Sequence, residues 1–149
     1  MTNCFRCSFD AISCIVLVVV GMHAELFESS VDDVAETEDR IVSQWREVSA
    51  DEQHQLREQF DEILRPLGLQ TRLVVVEKAN SLALFFTCLT LSALMSLRDQ
   101  WCSRRLRDIV ESLFRLLSGA RCYLHVKRLT WPVTDYERCV DFFTPQQSK

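Results

Sequence analysis

Glycine and proline are scarce in this sequence, with three of each among 149 residues. Because turns between strands draw on both residue types, the scarcity weighs against an all-β sandwich and favours helices joined by few breaks. The glycines stand at positions 21, 68 and 119, too far apart to build a phosphate-binding loop. No internal repeat, low-complexity tract or linker divides the chain after about residue 25, so a single domain is expected.

Catalytic motifs are also missing. Of the three histidines, His125 falls on a predicted strand, with Cys122 and Cys139 expected nearby. A cysteine–histidine pair is conceivable there, but no orienting group or oxyanion-binding turn accompanies it. We therefore expect a protein that is not an enzyme and that uses no cofactor.

Cysteine occurs seven times, an odd number that would leave one thiol over in a disulfide framework. Four cysteines fall within or beside apolar runs, where a free thiol behaves as a small core side chain: Cys88, Cys102, Cys122 and Cys139. This usage indicates a reducing compartment, so the expected location is the cytoplasm. Cys4 and Cys7 have the spacing of half a zinc site, but no second pair follows at ligand spacing, and no metal is expected.

Charge is distributed unevenly within a formal net charge of -4. Residues 25–62 contain 13 acidic and 3 basic side chains, a balance of -10, whereas residues 98–128 contain 8 basic and 3 acidic, a balance of +5. The two blocks could be solvated helix faces, could attract each other across the fold, or could face different partners. The acidic overall balance weighs against a nucleic-acid partner, and nothing indicates a small-molecule substrate.

A run of twelve uncharged residues, 11–22, lies near the N-terminus. It is shorter than the roughly 20 apolar residues that a membrane-spanning helix needs. The run could be a strand or a disordered leader, a signal peptide cleaved near Gly21 or Ala24, or the result of a misassigned gene start. We divide the chain into a leader at 1–24, a domain at 25–145 and a tail at 146–149. A signal peptide would make the protein a secreted or membrane-associated factor, with membrane contact only through residues 11–22.

Apolar residues at helical spacing predict five helices. These helices are expected at residues 31–45, 56–64, 91–101, 106–117 and 136–143. The expected caps are Ser29 and Ser30, a capping box at residues 49–52, Thr90 or Ser92, and a second capping box at residues 134–137. The expected helix stops are Pro66, Gly68, Gly119 and Pro145.

Two β-branched or aromatic runs, 73–76 and 82–89, are separated by a short polar connection and predict an antiparallel hairpin. Residues 122–129 alternate between apolar and polar side chains, which predicts a half-buried strand. In that strand Val126 and its apolar neighbours point one way, while His125 and Lys127 point the other.

Two segments of the chain carry a family resemblance: SLALFFTCLTLSALMSLRDQWCSRRLRDIVESLF and CYLHVKRLTWPVTDYERCVDFF. They resemble the N-terminal domain family of the tumour-necrosis-factor-receptor-associated death-domain adaptor, the TRADD-like N-terminal domains. The similarity covers residues 69–143. The matching features are the strand ending at Cys88, the stripe from Leu94 to Leu97, Trp101, Leu106, and the acidic-Tyr-x-x-Cys motif of Asp135, Tyr136 and Cys139.

The resemblance implies an α+β two-layer sandwich, in which an antiparallel sheet of about four strands packs against helices. It also implies a non-enzymatic adaptor in cell-death or innate-immune signalling, with a TRAF-family or other signalling protein as partner. The family commonly has glycine in the turn where this chain has Arg104. A left-handed turn there would therefore cost on the order of 1 kcal/mol, or the two flanking helices would run on with a kink.

Trp101, Arg104 and Arg105 form the candidate protein-contact site, because tryptophan and arginine are enriched at binding hot spots. The alternative is a core tryptophan beside two solvated arginines. We expect Arg104 and Arg105 to matter more for partner binding than for folding.

Overall fold

The computed structural model describes residues 3–8, 14–28, 34–50, 54–119 and 124–144. These residues form five strands, five helices and a short 3-10 helix. The strands are β1 (Asn3–Ser8), β2 (Cys14–Glu28), β3 (Thr71–Lys78), β4 (Leu82–Cys88) and β5 (Leu124–Thr130). The helices are α1 (Val34–Ser49), α2 (His54–Leu64), α3 (Leu91–Cys102), α4 (Arg105–Ser118) and α5 (Val133–Phe143), with the 3-10 turn at Arg65–Leu67.

All five described strands belong to one antiparallel sheet. β4 pairs with β3 on one side and with residues 18–24 of β2 on the other. The opposite edge of β2 is shared: β1 pairs with residues 14–19, and β5 pairs with residues 23–28. The expected fold class, an α+β sandwich of an antiparallel sheet packed against helices, is confirmed. β1 is the strand that the sequence did not predict.

β2 contributes alternate side chains to the hydrophobic core. These are Val18, Val20, Met22, Ala24 and Leu26. β-branched residues dominate the first half of the strand, and they suit a pleated, buried position. Most of the apolar run at 11–22 therefore lies in a strand. That strand continues through residues 24 and 25, where we divided the leader from the domain.

The helices cover the face of the sheet to which these side chains point, and α4 lies at their centre. α4 packs against α1, α2, α3 and β5. Its spacing of apolar residues produces one continuous buried stripe, formed by Leu106, Ile109, Val110, Leu113, Phe114 and Leu117. α1 and α2 meet through Trp45 and Phe60, whose ring centroids are 5.1 Å apart. None of the described helices has the length and apolar character needed to cross a bilayer.

Three local predictions are confirmed. Thr90 caps α3, since its hydroxyl accepts a hydrogen bond from the Ala93 N–H at 3.1 Å. The hairpin connection between β3 and β4 closes with a bond of 2.7 Å from the Ala79 N–H to the Ser81 carbonyl. Gly119 ends α4 in the left-handed conformation, at a φ of +67°, which glycine adopts without a steric penalty.

One predicted capping box is wrong, and the other extends outside the described residues. In the box at residues 49–52, Ser49 belongs to α1 and its hydroxyl donates to the Arg46 carbonyl at 3.1 Å, while residues 51 and 52 are not described. The wrong box is the one at residues 134–137. Thr134 lies inside α5, which begins one residue earlier, at Val133, after Pro132 at the cap position. The fixed φ of proline already suits a helix start, so no side-chain cap is needed there. The predicted caps at Ser29 and Ser30 and the stop at Pro145 lie outside the described residues.

Deletion of residues 1–24 should abolish cooperative unfolding, because β4 would lose one of its two neighbouring strands and four β2 side chains would leave the core. Each buried aliphatic side chain of this size contributes about 1.5–3 kcal/mol, against a total stability of about 5–15 kcal/mol for a typical domain. Thermal denaturation followed by circular dichroism measures the effect. The control is His23→Ala, an exposed position in the same strand, which should change stability by less than about 0.5 kcal/mol. A cooperative transition in the deleted chain would show that β2 is dispensable.

Glu38 is a buried carboxyl at the contact between α1 and β3. The residue is 8% exposed, and the Lys78 ammonium lies 4.0 Å from its Oε1. Burial raises the pKa of Glu38, and the positive charge of Lys78 offsets only part of that rise. Lys78 is also bound to Asp39 at 3.0 Å. The fold therefore favours the protonated form of Glu38, and stability is lost as pH rises from the ordinary carboxyl pKa through the raised one.

Glu38→Gln should raise the melting temperature at neutral pH and have little effect at about pH 4, where the carboxyl is already largely protonated. The amide keeps the shape of the side chain and removes the charge that burial penalises. Thermal melts at both pH values test this expectation. Glu36→Gln, at an exposed position on the same helix, should give no such pH-dependent gain. A lower melting temperature for Glu38→Gln at neutral pH would mean that the attraction to Lys78 outweighs desolvation.

Candidate protein-interaction site

The turn between α3 and α4 is built around Arg104 in the left-handed conformation, with a φ of +70° and a ψ of 5°. Its N–H donates to the Trp101 carbonyl at 3.1 Å, and its own carbonyl accepts from the Asp108 N–H at 3.3 Å. α4 begins at the next residue. Of the two outcomes expected for this position, a left-handed turn and a continuous kinked helix, the chain adopts the turn. Any residue other than glycine at this position carries a steric cost of about 1 kcal/mol.

Trp101 connects the end of α3 to β5. Its Nε1 donates to the Leu129 carbonyl at 3.0 Å. The Arg98 guanidinium lies 4.5 Å from the Trp101 ring centroid, and it also stacks on Trp131 at 4.9 Å and on Tyr136 at 4.7 Å. Three rings around one cation form a rigid cluster. Trp101 is therefore half-buried and packed against this cluster, and it also lines a groove.

This groove lies between the α3–α4 turn and β5 and has a volume of about 370 Å³. Trp101 and Leu129 supply its apolar walls, and Cys102 lies at its edge. The other lining residues are Arg104, Arg107, Lys127 and Arg128. Among the described residues, four cations and no acidic side chain therefore line one small concave surface, which we call the basic groove.

The four cations are poorly neutralised by the rest of the described chain. Arg107 Nη2 lies 3.6 Å from Asp108 Oδ1, and Arg128 Nη1 lies 3.9 Å from Glu25 Oε2. Both separations exceed the roughly 2.7–2.9 Å of a charge-assisted hydrogen bond. Within the described ranges, Arg104 and Lys127 form no ion pair. The Glu25–Arg128 contact joins the acidic and basic blocks of the sequence, and the remaining positive charge of the groove faces solvent.

The start of α4 adds further positive potential to the groove. The N-terminus of a helix carries a partial positive charge and favours acidic side chains in its first turn. Here Arg105 and Arg107 lie in the first turn together with one acid, Asp108, and Arg104 precedes them at the cap position. The backbone N–H groups of Leu106 and Arg107 have no acceptor among the described residues. An anion in the groove would be favoured by the field of the helix.

Some residues of this groove were predicted from the sequence. Trp101 and Arg104 line it, whereas Arg105 is exposed beside it and does not. The predicted contact site did not include Arg107, Lys127 or Arg128. Their only sequence signal was the basic excess of residues 98–128, which does not specify which side chains converge.

A β-bulge explains why two consecutive cations of β5 reach the groove. Glu25 pairs with Arg128 and the next residue, Leu26, pairs with Val126, so Lys127 is an extra residue in β5. A bulge interrupts the alternation of side chains between the two faces of a sheet. Lys127 and Arg128 are therefore both exposed, and the strict alternation that the sequence predicted ends at Val126.

The free edge of β5 is occupied by side chains from the helices. Glu111 Oε2 accepts from the Val126 N–H at 2.9 Å, and Arg115 Nε donates to the Leu124 carbonyl at 2.8 Å. Together with the bond from Trp101 to Leu129, these contacts fix α3 and α4 against the strand. They also keep the edge from pairing with another chain. The basic groove is thus held between two fixed elements.

The conceivable cysteine–histidine pair has a different environment. His125 Nδ1 lies 3.4 Å from Glu111 Oε2 and 3.2 Å from Arg115 Nη2. Cys139 is fully buried on α5, which follows the far end of β5, and Cys122 lies outside the described residues. Burial raises the pKa of the Cys88 thiol to about 11, which keeps it protonated. No three His, Cys, Asp or Glu side chains in the described ranges are grouped as metal ligands would be.

Comparisons with protein-family models, with curated proteins and with solved structures find no match to this chain. The resemblance to the TRADD-like N-terminal domains therefore stays a prediction. The interpretation of the groove depends on its own geometry and charge.

Arg104→Gly should raise the free energy of unfolding by about 0.5–1 kcal/mol, because glycine removes the steric cost of the left-handed turn. Urea denaturation measures the change. Arg105→Gly is the matched control, since it removes the same charge at a position inside α4. There glycine should lower stability by up to about 1 kcal/mol. Equal losses in the two variants would contradict the role assigned to the turn.

Proposed function

We propose that this chain is a non-enzymatic protein-interaction module that binds an acidic segment of a partner protein in the basic groove. The observation that carries the proposal is the convergence of four cations on one concave surface between fixed elements, with no acidic residue among the described residues that line it. Complementary charge guides association and suppresses wrong partners. The walls supplied by Trp101 and Leu129 add apolar contact for the stem of a bound side chain.

The size and charge of the molecule favour a short protein segment over other ligands. A net charge of -4 repels a long polyanion such as a nucleic acid, and phosphate-backbone binding usually needs a broad basic surface. The groove is small, so it suits one or a few residues of an extended segment. The environments of Cys88 and His125 also favour binding over catalysis, since one thiol is held protonated and the imidazole is engaged by Glu111 and Arg115.

We further propose, from the resemblance, an adaptor role in cell-death or innate-immune signalling, with a TRAF-family or other signalling protein as the partner. A cytoplasmic location agrees with the free thiols of Cys88, Cys102 and Cys139. The alternative of a secreted factor is less well supported. Cleavage near Gly21 or Ala24 would divide β2, which pairs with β4 through residues 18–24.

Arg104→Glu should weaken binding of a fluorescent Asp- and Glu-rich peptide by about tenfold, a loss of about 1.4 kcal/mol, because it places a like charge in the groove. Fluorescence anisotropy measures the affinity, which should also fall with added salt. Arg105→Glu is the closest control: it makes the same charge change one residue away, outside the groove lining. Arg40→Glu, on the exposed surface of α1, is a second control. Both should bind within about twofold of the unmodified protein.

Thermal melts of all three variants separate binding from folding. If Arg104→Glu and Arg105→Glu weaken the peptide equally, the site is a diffuse basic surface and the groove has no special role. If the unmodified protein does not bind the acidic peptide at low salt, the proposed function is wrong.

A further inference from the structure

The basic groove has a surplus of positive charge that a single carboxylate would not neutralise. Arg104, Arg107, Lys127 and Arg128 contribute four charges, and their two acidic neighbours lie outside the lining at 3.6 and 3.9 Å. A phosphoryl monoester carries about -1.5 to -2 charges at neutral pH, whereas a carboxylate carries one. A phosphorylated side chain therefore matches the charge of the groove better than an aspartate or a glutamate does.

The guanidinium groups of the groove also suit a phosphoryl group. Arg104, Arg107 and Arg128 line it, and the Arg107 side chain is 37% exposed although its Nε atom is buried without a hydrogen-bond partner among the described residues. Three terminal oxygens arranged tetrahedrally can accept from several donors, and guanidinium groups bind phosphate oxygens in pairs.

The shape of the groove limits the ligand to a side chain. A volume of about 370 Å³ lies at the lower end of ligand pockets, which span about 300–1,000 Å³. That space accommodates one phosphorylated side chain, while the rest of a peptide would run along the surface. Trp101 and Leu129 would contact the apolar stem of that side chain.

We propose that the basic groove recognises a phosphorylated serine, threonine or tyrosine in an extended segment of the partner protein. This inference rests on the proposed function and names the chemistry of its ligand. The partner would then bind only after modification by a kinase. Inorganic phosphate alone and single-stranded nucleic acid offer related chemistry, and the experiment distinguishes them.

The test compares three fluorescent pools of degenerate short peptides at physiological salt. Their central residue is phosphorylated Ser, Thr or Tyr in the first pool, the same residues unmodified in the second, and Glu in the third. We expect the phosphorylated pool to bind at least about tenfold tighter than the glutamate pool and the unmodified pool to bind weakest. Amide resonances of Arg104 and Arg107, which line the groove, should shift on binding, which locates the ligand at the start of α4.

Arg107→Lys tests the paired N–H donors of the guanidinium group separately from its positive charge. It keeps the cation and removes the guanidinium, whose terminal N–H groups can pair with phosphate oxygens, so the preference for the phosphorylated pool should fall severalfold. Arg105→Lys, which makes the same exchange outside the groove, should leave that preference unchanged. Thermal melts show whether Arg107→Lys has altered the fold. If it has, Arg104→Lys, at the exposed turn, provides the same comparison.

Equal binding of the phosphorylated and glutamate pools would overturn the phosphoryl inference and leave the acidic-segment function intact. Failure of every pool to bind would remove the proposed function itself. Inorganic phosphate that shifts the same amides while no peptide pool binds more tightly would indicate a simple anion site and overturn the inference. Tighter binding of a single-stranded oligonucleotide than of any peptide would also overturn it.

Discussion

The pairing of β2 on both of its edges is the constraint on which the rest of the structure depends. One 15-residue strand pairs with β4 along one edge and with β1 and β5, end to end, along the other. Its alternate side chains form the centre of the core that the helices cover. Because β1 and β5 share an edge of the same strand, the position of β5 is fixed by residues far away in the sequence. The pairing of β5 with β2 therefore also fixes the positions of the β5 residues that line the basic groove.

The helices are attached to the sheet by side-chain bonds as well as by hydrophobic packing. Trp101, Glu111 and Arg115 bind three backbone groups along the free edge of β5. A strand edge without such partners would expose unpaired backbone groups to other chains. The same bonds hold the α3–α4 turn beside Lys127 and Arg128, so the protection of the edge and the construction of the groove have one cause. A partner would meet a groove that is largely ordered before binding, which reduces the entropy lost on association.

Features that depend on a few neighbouring residues were predictable, and features that depend on distant pairing were not. The Thr90 cap, the β3–β4 hairpin and the left-handed Gly119 each involve side chains or backbone within about one helical turn, where residue preferences are strong. Thr134 shows the limit of this reasoning, because it was expected to cap α5 but lies inside that helix, which begins at Val133 after Pro132. The groove combines a helix turn with a strand more than twenty residues away. The bulge that exposes Lys127 and Arg128 together arises from pairing with β2, which no local pattern encodes.

The start of α4 combines three arrangements that stability alone would not favour. Arg104 adopts a conformation that suits glycine, cations occupy the positive end of a helix, and the Arg107 Nε–H is buried without a partner. Each costs on the order of 1 kcal/mol. Conflicts of this kind are common at binding sites. A bound anion would relieve one of them, since it would oppose the cations. The left-handed conformation of Arg104 would remain, with its side chain on the lining of the groove.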